Sequence, residues 1–257
     1  MGAQHEGHGG HAHGGHAGAH GTLGGLSVSA GGYTLRAMPT VFEAGREETF
    51  GIRILDRTGR EVRNLDEQHE KLMHLIVVRR DLTHYQHLHP SLDEEGSWSV
   101  PLTLPEPGVY RAFVDFSVDG VPLTLGVDLT APGDLRIEPL PDPTNAVSTE
   151  DGYEVALEAE TSTPETGSSL IFHIERGGME VEDLEPYLGA LGHLVALREG
   201  DLAYLHVHPT GGAGARIEFH TEFPSQGRYR LFLQFAHAGV VRTAAFTEEI
   251  RLFQTPG

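Results

Sequence analysis

The chain has 257 residues, enough for two domains of ordinary size, and 39% of them are hydrophobic. It contains no cysteine, which excludes disulfides, thiolate metal sites and cysteine nucleophiles. The formal net charge of -19 opposes binding to nucleic acid and attracts cations. Histidine is unusually abundant, with 17 residues.

Residues 1–25 are rich in histidine and glycine and contain almost nothing to bury, which predicts a disordered tail. Segments of this composition bind Zn²⁺ or Cu²⁺ readily. The candidate ligands in the tail are His5, His8, His11, His13, His16 and His20. The tail has neither the basic start nor the apolar segment of a secretion signal. We therefore expect either a cytoplasmic protein or one whose export segment is not part of this sequence.

From Leu26 the sequence changes to short segments rich in branched and aromatic residues, separated by glycine, proline, aspartate and asparagine. This pattern is typical of β-strands. We predict strands over 32–38, 48–55, 74–79, 97–104, 109–116 and 121–129. The best helical candidate is a single turn near Asp66–Leu72. Four prolines in 131–147 indicate a linker, and strand-like segments resume from Tyr153.

The two halves of the chain are related by an internal repeat. With an offset of 119 residues they align without a gap from about Glu61 to Thr124. Seven of 17 positions are identical between residues 74–90 and 193–209, where about one is expected by chance. Duplication of one domain is therefore the best explanation.

Each repeat has the size and the number of short strands of an immunoglobulin-like sandwich. A cupredoxin-like sandwich is the alternative. We predict an all-β protein with two tandem sandwiches of one of these types, preceded by a disordered tail. The predicted boundaries are tail 1–25, first sandwich 26–130, linker 131–147 and second sandwich 148–257.

Three histidines recur in both repeats and point to metal binding. In the second repeat, a two-residue hairpin loop at Glu199 and Gly200 would place His193 opposite His206, with His208 on the same face. Three imidazoles that share a face can hold Zn²⁺ or Cu²⁺. The sequence therefore predicts a three-histidine site in this repeat.

The first repeat predicts an equivalent second site, formed by His74, His87 and His89. His84 would point to the opposite face of its strand, whereas His220 and His237 could enlarge the site of the second repeat. A structural role is the alternative for all of these residues, because duplication also copies histidines that only form hydrogen bonds.

Several segments resemble a group of uncharacterised actinobacterial double-domain proteins that are secreted or membrane-anchored and have a histidine-rich N-terminus. The resemblance rests on HLIVVRRDLTHYQHLHP (74–90), DLEPYLGALGHLVALREGDLAYLHVHP (183–209) and FAHAGVVRTAAFT (235–247). It implies an extracytoplasmic location, with a cytoplasmic one still open. More loosely, the domains are similar to YtkA-like and FixH-like sandwiches, which are associated with copper handling.

The sequence contains no GxSxG, P-loop, GxGxxG or HExxH motif. The preferred hypothesis is a non-enzymatic copper- or zinc-binding protein of the cell envelope that sequesters, tolerates or delivers metal. Its partners would be metal ions and an envelope metal transporter or chaperone, with no nucleic acid. The first alternative is an immunoglobulin-like interaction or scaffold module with structural histidines. A metalloenzyme with a three-histidine site is the weaker alternative, since no general base is evident.

Overall fold

The computed structural model describes residues 24–94, 97–160, 167–207 and 209–251, so most of the predicted tail lies outside the described residues. Within these ranges the chain is entirely β-strand, turn and loop. The described part contains no helix with the length and apolarity needed to cross a bilayer.

Within the described ranges, the first repeat contains nine strands. They are β1 (Ser29–Ala30), β2 (Tyr33–Met38), β3 (Glu47–Leu55), β4 (Met73–Arg79), β5 (Gln86–Leu88), β6 (Ser91–Leu92), β7 (Trp98–Thr103), β8 (Gly108–Val118) and β9 (Val121–Ala131). The described part of the second repeat contains ten. They are β10 (Ala146–Ser148), β11 (Tyr153–Glu160), β12 (Ser168–Arg176), β13 (Met179–Glu180), β14 (Gly192–Arg198), β15 (Tyr204–Val207), β16 (Pro209–Ala213), β17 (Arg216–Thr221), β18 (Gly227–His237) and β19 (Val240–Ile250).

Each repeat folds into two antiparallel sheets. In the first, β1-β2-β3-β7-β6 packs on β5-β4-β8-β9; in the second, β10-β11-β12-β17-β16 packs on β15-β14-β18-β19. These are the ABED and C′CFG strand orders of an immunoglobulin-like sandwich. Each domain also has a tyrosine corner: the hydroxyl of Tyr110 donates to the Glu106 carbonyl, and that of Tyr229 to the Ser225 carbonyl, both at 2.9 Å. The prediction of two tandem immunoglobulin-like sandwiches is therefore confirmed.

The helical turn predicted near Asp66–Leu72 is wrong. Gln68 and Lys71 instead pair in an antiparallel bridge around a tight turn. His69 and Glu70, the two central residues, have φ of 51° and 62°. Two consecutive left-handed residues define a type I′ turn, which usually carries Asn or Gly. Histidine adopts the left-handed region more often than most residues, but the sequence lacks the Asn-Gly or Asp-Gly signal of this turn.

The predicted hairpin register of the second repeat is also wrong, by two residues. Val195, rather than His193, lies opposite His206. The backbone N–H of Arg198 donates to the Ala203 carbonyl, so the loop has four residues instead of two. Because side chains alternate with a period of two, this shift leaves His193 and His206 on the same face of the sheet.

The central residues of strands β4 (75–78) and β14 (194–197) are all apolar because both faces of these strands are buried. In β4, Leu75 and Val77 pack inside their own sandwich, whereas Ile76 and Val78 pack against the other domain. Strand β14 alternates in the same way. A strand with one solvated face would show polar residues at every second position. The two C′CFG sheets therefore pack on each other face to face.

Two reciprocal ring stacks show that this domain interface has a local two-fold axis. Tyr85 stacks on Phe232 with centroids 4.1 Å apart, and Phe113 stacks on Tyr204 at 4.6 Å. An offset of 119 residues converts the first pair into the second. Each domain thus presents the same patch to the other, which is an isologous contact within one chain.

The segment between β9 and β10 crosses the edge of this interface. The buried guanidinium of Arg79 forms ion pairs with Asp81 at 2.9 Å and with Glu138 of this segment at 3.4 Å. Arg228 of the second domain donates to the Leu140 carbonyl at 2.8 Å. The segment is therefore bound to both sandwiches.

Candidate metal centre

The histidines of both repeats meet at one end of the domain interface. Ring centroids of His74 and His87, from the first domain, are 5.3 Å apart. His206 of the second domain lies 5.3 Å from His74 and 5.7 Å from His87. The sequence predicts one site in each repeat, but the structure joins the two histidine clusters into one.

The sandwich positions these rings through strands that face the partner domain. His74 is opposite Asp115 in the pairing of β4 with β8. His193 is opposite Gln234 in the equivalent pairing of β14 with β18. His206 comes from the short edge strand β15, as its equivalent in the first domain comes from β5.

Backbone carbonyls fix the protonation of two rings. Nε2 of His74 lies 3.1 Å from the Gln68 carbonyl, and Nε2 of His193 lies 2.8 Å from the Tyr187 carbonyl. A carbonyl oxygen only accepts, so Nε2 carries the hydrogen in each neutral ring. This leaves Nδ1 of both rings as the nitrogen with a lone pair.

Side chains across the domain boundary fix the other two rings in the opposite tautomer. Nδ1 of His87 donates to Oε1 of Gln234 at 2.6 Å, and Nδ1 of His206 donates to Oδ2 of Asp115 at 3.0 Å. The amide nitrogen of Gln234 lies 3.5 Å from Thr243 Oγ1. The lone pair of both histidines is therefore on Nε2.

The consequence is that two lone pairs face each other. Nδ1 of His74 and Nε2 of His87 are 3.0 Å apart, although the outer hydrogen bonds use the N–H of each ring. A proton or a metal cation between the two nitrogens would satisfy both lone pairs. One ring nitrogen each of His74, His87 and His206 lies within 4.8 Å of the other two.

Burial disfavours a proton at this position. It is the largest cause that lowers the pKa of His74 to about 4 and of His193 to about 4. Burial also lowers the pKa of His87 well below its usual value and that of His89 to about 3. These rings are neutral near pH 7, which is the state that binds metal.

Asp115 supplies a negative charge beside the cluster. Burial opposes its ionisation, but hydrogen bonds from His206, Thr124 and Tyr204 outweigh burial and lower the pKa of the carboxyl group. Tyr204 donates its hydroxyl to Oδ2 at 2.7 Å. A carboxylate that orients a histidine and increases its basicity is typical of metal centres.

The ring spacing fits a single ion. With metal–nitrogen bonds of about 2.0–2.1 Å and tetrahedral angles, imidazole centroids lie about 5 Å apart. The three centroid distances among His74, His87 and His206 are 5.3, 5.3 and 5.7 Å.

Two further histidines border the cluster. The ring of His89 lies 5.0 Å from His74 and 4.7 Å from His87, and its buried Nε2 has no hydrogen-bond partner among the described residues. His69, which we did not predict, lies 5.8 Å from His193. Of the predicted ligands, His208 and the six tail histidines are outside the described residues.

Other histidines lie elsewhere. The hydroxyl of Tyr153 and Nδ1 of His237 are 2.6 Å apart, and Nε2 of His237 is 3.0 Å from Asp183, so His237 belongs to a separate polar group. His84 faces Glu106 at 3.4 Å, away from the cluster as expected. His220 is exposed on β17.

The sequence offered one signal for the residues we missed. Asp115 and Gln234 occupy equivalent positions in otherwise apolar segments of β8 and β18. A polar residue at the same point of both copies, opposite a histidine, indicates a polar site within a buried surface.

Comparison with known proteins identifies the family. A family model described as a domain of unknown function, DUF8832, matches the chain twice, over residues 27–133 and 147–251. No curated protein matches the chain.

Similar solved structures include the Escherichia coli adhesin FdeC, at 13% identity and a TM-score of 0.29, with 88% of this chain and 66% of that chain covered. InvD of Yersinia pseudotuberculosis has 13% identity and a TM-score of 0.29, with 89% and 62% covered. The alpha-2-macroglobulin of Salmonella has 11% identity and a TM-score of 0.30, with 88% and 15% covered. The chain thus spans less than two thirds of the length of these chains. By its two family-model matches, the chain belongs to the DUF8832 family and carries two copies of its domain.

Proposed function

We propose that the protein binds a copper or zinc ion, without catalysing a reaction, at a site shared by its two domains. The ligands are His74 and His87 from the first domain and His206 from the second. The observation that carries the proposal is the convergence of one ring nitrogen from each of these three histidines, all within 4.8 Å of one another. A cation among them can accept a lone pair from each ring.

The chemistry of the ligands favours copper or zinc. Neutral imidazole is a borderline ligand that suits both Cu²⁺ and Zn²⁺. The outer hydrogen bonds of the rings to Gln68, Gln234 and Asp115 match the second shell expected around histidine ligands.

The surroundings of Asp115 favour binding over catalysis. It is the carboxylate in contact with His206, and it accepts hydrogen bonds from Tyr204 and Thr124 as well. A carboxylate engaged by three donors is a poor general base for a metal-bound water.

The wider role we propose is metal sequestration, tolerance or delivery in the cell envelope, with a metal transporter or chaperone as partner. The location rests on the resemblance of the sequence to secreted and anchored double-domain proteins. The histidine-rich tail would capture ions and raise their concentration near the folded site.

The test uses the full chain with its six tail histidines replaced by asparagine. After metal removal, Cu²⁺ and Zn²⁺ are titrated by calorimetry into this parent and into its His74→Asn and His206→Asn variants. We expect stoichiometric binding by the parent that each variant loses. His220→Asn is the matched control, because its ring is exposed on β17. A parent without stoichiometric binding would contradict the proposal.

A scaffold role with structural histidines is the second candidate. The observation in its favour is that His87 bonds to Gln234, and His206 to Asp115, across the domain boundary without an ion. In that case His206→Asn would weaken the domain contact, and neither metal would raise the thermal stability of the parent.

A further inference from the structure

We infer that metal binding and docking of the two domains are one linked equilibrium, so that the ion is a removable cross-link between the sandwiches. This inference rests on the proposed function. Beyond metal binding, it states that a bound ion restrains the two domains relative to each other. The basis is that the ligands come from both domains: His74 and His87 from the first, His206 from the second.

Docking of the two domains assembles the ligand set at this end of the interface. The outer bonds of His87 and His206 reach partners in the other domain, so docking is what brings their inward nitrogens into the cluster. In the docked state the ring of His206 lies 5.3 Å from that of His74 and 5.7 Å from that of His87. A cation bound by rings of both domains would therefore add a connection between the domains.

The opposite end of the interface is apolar and holds the domains together independently of the histidines. Along β4, the residues that face the other domain are His74, then Ile76, then Val78. Four residues of an extended strand place Val78 about 13 Å from His74. Val78 belongs to a buried apolar cluster that also includes Val195, Leu197 and Phe232 of the second domain. A substitution at this end can therefore weaken docking without touching any of the histidine ligands.

Linkage makes the inference quantitative. If the ion strengthens docking by some factor, docking strengthens ion binding by the same factor. A substitution that undocks the domains leaves two ligands on the first domain and separates them from His206. The ion should then bind much more weakly although every histidine is retained.

The experiment measures Zn²⁺ affinity of the full chain with asparagine at the six tail histidines, with and without Val78→Asp. Undocking would expose position 78 on an open sheet face, where a carboxylate is tolerated, while a docked carboxylate would be buried among apolar residues. We expect at least tenfold weaker Zn²⁺ binding by this variant. Val121→Asp, at the exposed tip between β8 and β9, should bind as the parent does. Emission of Trp98, in the core of the first sandwich, checks folding.

Two measurements guard against a variant that fails to fold. Leu197→Ala weakens the same contact without a buried charge and should reduce Zn²⁺ affinity in the same direction. Hydrogen exchange of the parent should slow in the edge strands β5 and β15 when Zn²⁺ is added. If both variants fold and bind Zn²⁺ as tightly as the parent, the ion does not link the two domains. The proposed metal binding would still stand in that case. Absence of binding by the parent would instead overturn the proposed function.

Discussion

At the scale of single residues, one difference breaks the two-fold symmetry of the site. Equivalent positions 115 and 234 hold aspartate in the first domain and glutamine in the second. His206 therefore donates to a carboxylate, whereas His87 donates to a neutral amide. A charged acceptor makes the opposite ring nitrogen more electron-rich. His206 should accordingly be the stronger ligand of this equivalent pair.

Asp115→Asn should weaken metal binding about 10- to 100-fold, because the negative charge that accepts the hydrogen bond of His206 is lost while the ligands remain. Calorimetric titration of Zn²⁺ into the variant measures the change. Asp128→Asn, a half-exposed carboxylate on β9 of the same sheet, is the control and should have little effect. The converse change, Gln234→Glu, should tighten binding. Equal affinities for Asp115→Asn and the parent would exclude this role for Asp115.

The buried imidazoles also predict how the metal-free protein responds to acid. The folded-state pKa is about 4 for His74 and His193 and about 3 for His89, against a usual value of 6.5. Below pH 6.5 these histidines bind protons in the unfolded chain, whereas in the folded chain they stay neutral until the pH nears their lower folded-state pKa. The stability contributed by neutral rings is therefore full above pH 6.5 and is lost as the pH falls toward 4.

Each such histidine steepens the decline by up to about 1.4 kcal/mol per pH unit. Urea unfolding of the metal-free parent at pH 7, 6 and 5 measures the free energy of unfolding. His74→Asn should show a shallower decline, since it removes one of the titrating rings. Identical slopes for parent and variant would mean that this ring titrates normally in the fold.

At the scale of elements, the strands were the most predictable part of the molecule. The predicted strands 74–79 and 109–116 correspond to Met73–Arg79 and Gly108–Val118. Their residue types suit a pleated surface that is buried on at least one side. The failures occurred in turns, at His69 and in the hairpin after Arg198. The geometry of these turns depends on residues with a left-handed backbone conformation. Here residues other than glycine and asparagine adopt that conformation as well.

The tyrosine corners should each stabilise one sandwich. Tyr110→Phe removes the hydroxyl that donates to the Glu106 carbonyl and leaves that acceptor without this bond. We expect a loss of about 1 kcal/mol in the free energy of unfolding, measured by urea denaturation. Tyr33→Phe is a suitable control, because its hydroxyl has no hydrogen bond within the described part of the chain. An equal loss in both variants would assign the effect to something other than the corner.

At the scale of the whole molecule, the sequence predicted two domains but not that they share a site. The repeat placed the histidines on one face of each sheet, and that expectation survived a wrong register because the error was two residues. The contact between the domains was not predicted, because a single sequence does not say which sheet faces pack together. The indication was present in Ile76, Val78, Val195 and Leu197, which make the outward faces of β4 and β14 apolar.

Neighbouring phenylalanines on β18 can separate docking from folding. Phe232 stacks on Tyr85 of the other domain, whereas Phe235 lies in the core of its own sandwich. Phe235→Ala should cost about 3–5 kcal/mol and destabilise the second domain itself. Phe232→Ala should instead weaken only the contact between domains. In scanning calorimetry we expect the single transition of the parent to separate into two, because the sandwiches then unfold independently. If Phe232→Ala retained one transition at a lower temperature, the two domains would form one cooperative unit, with each sandwich unable to stay folded once the other unfolds.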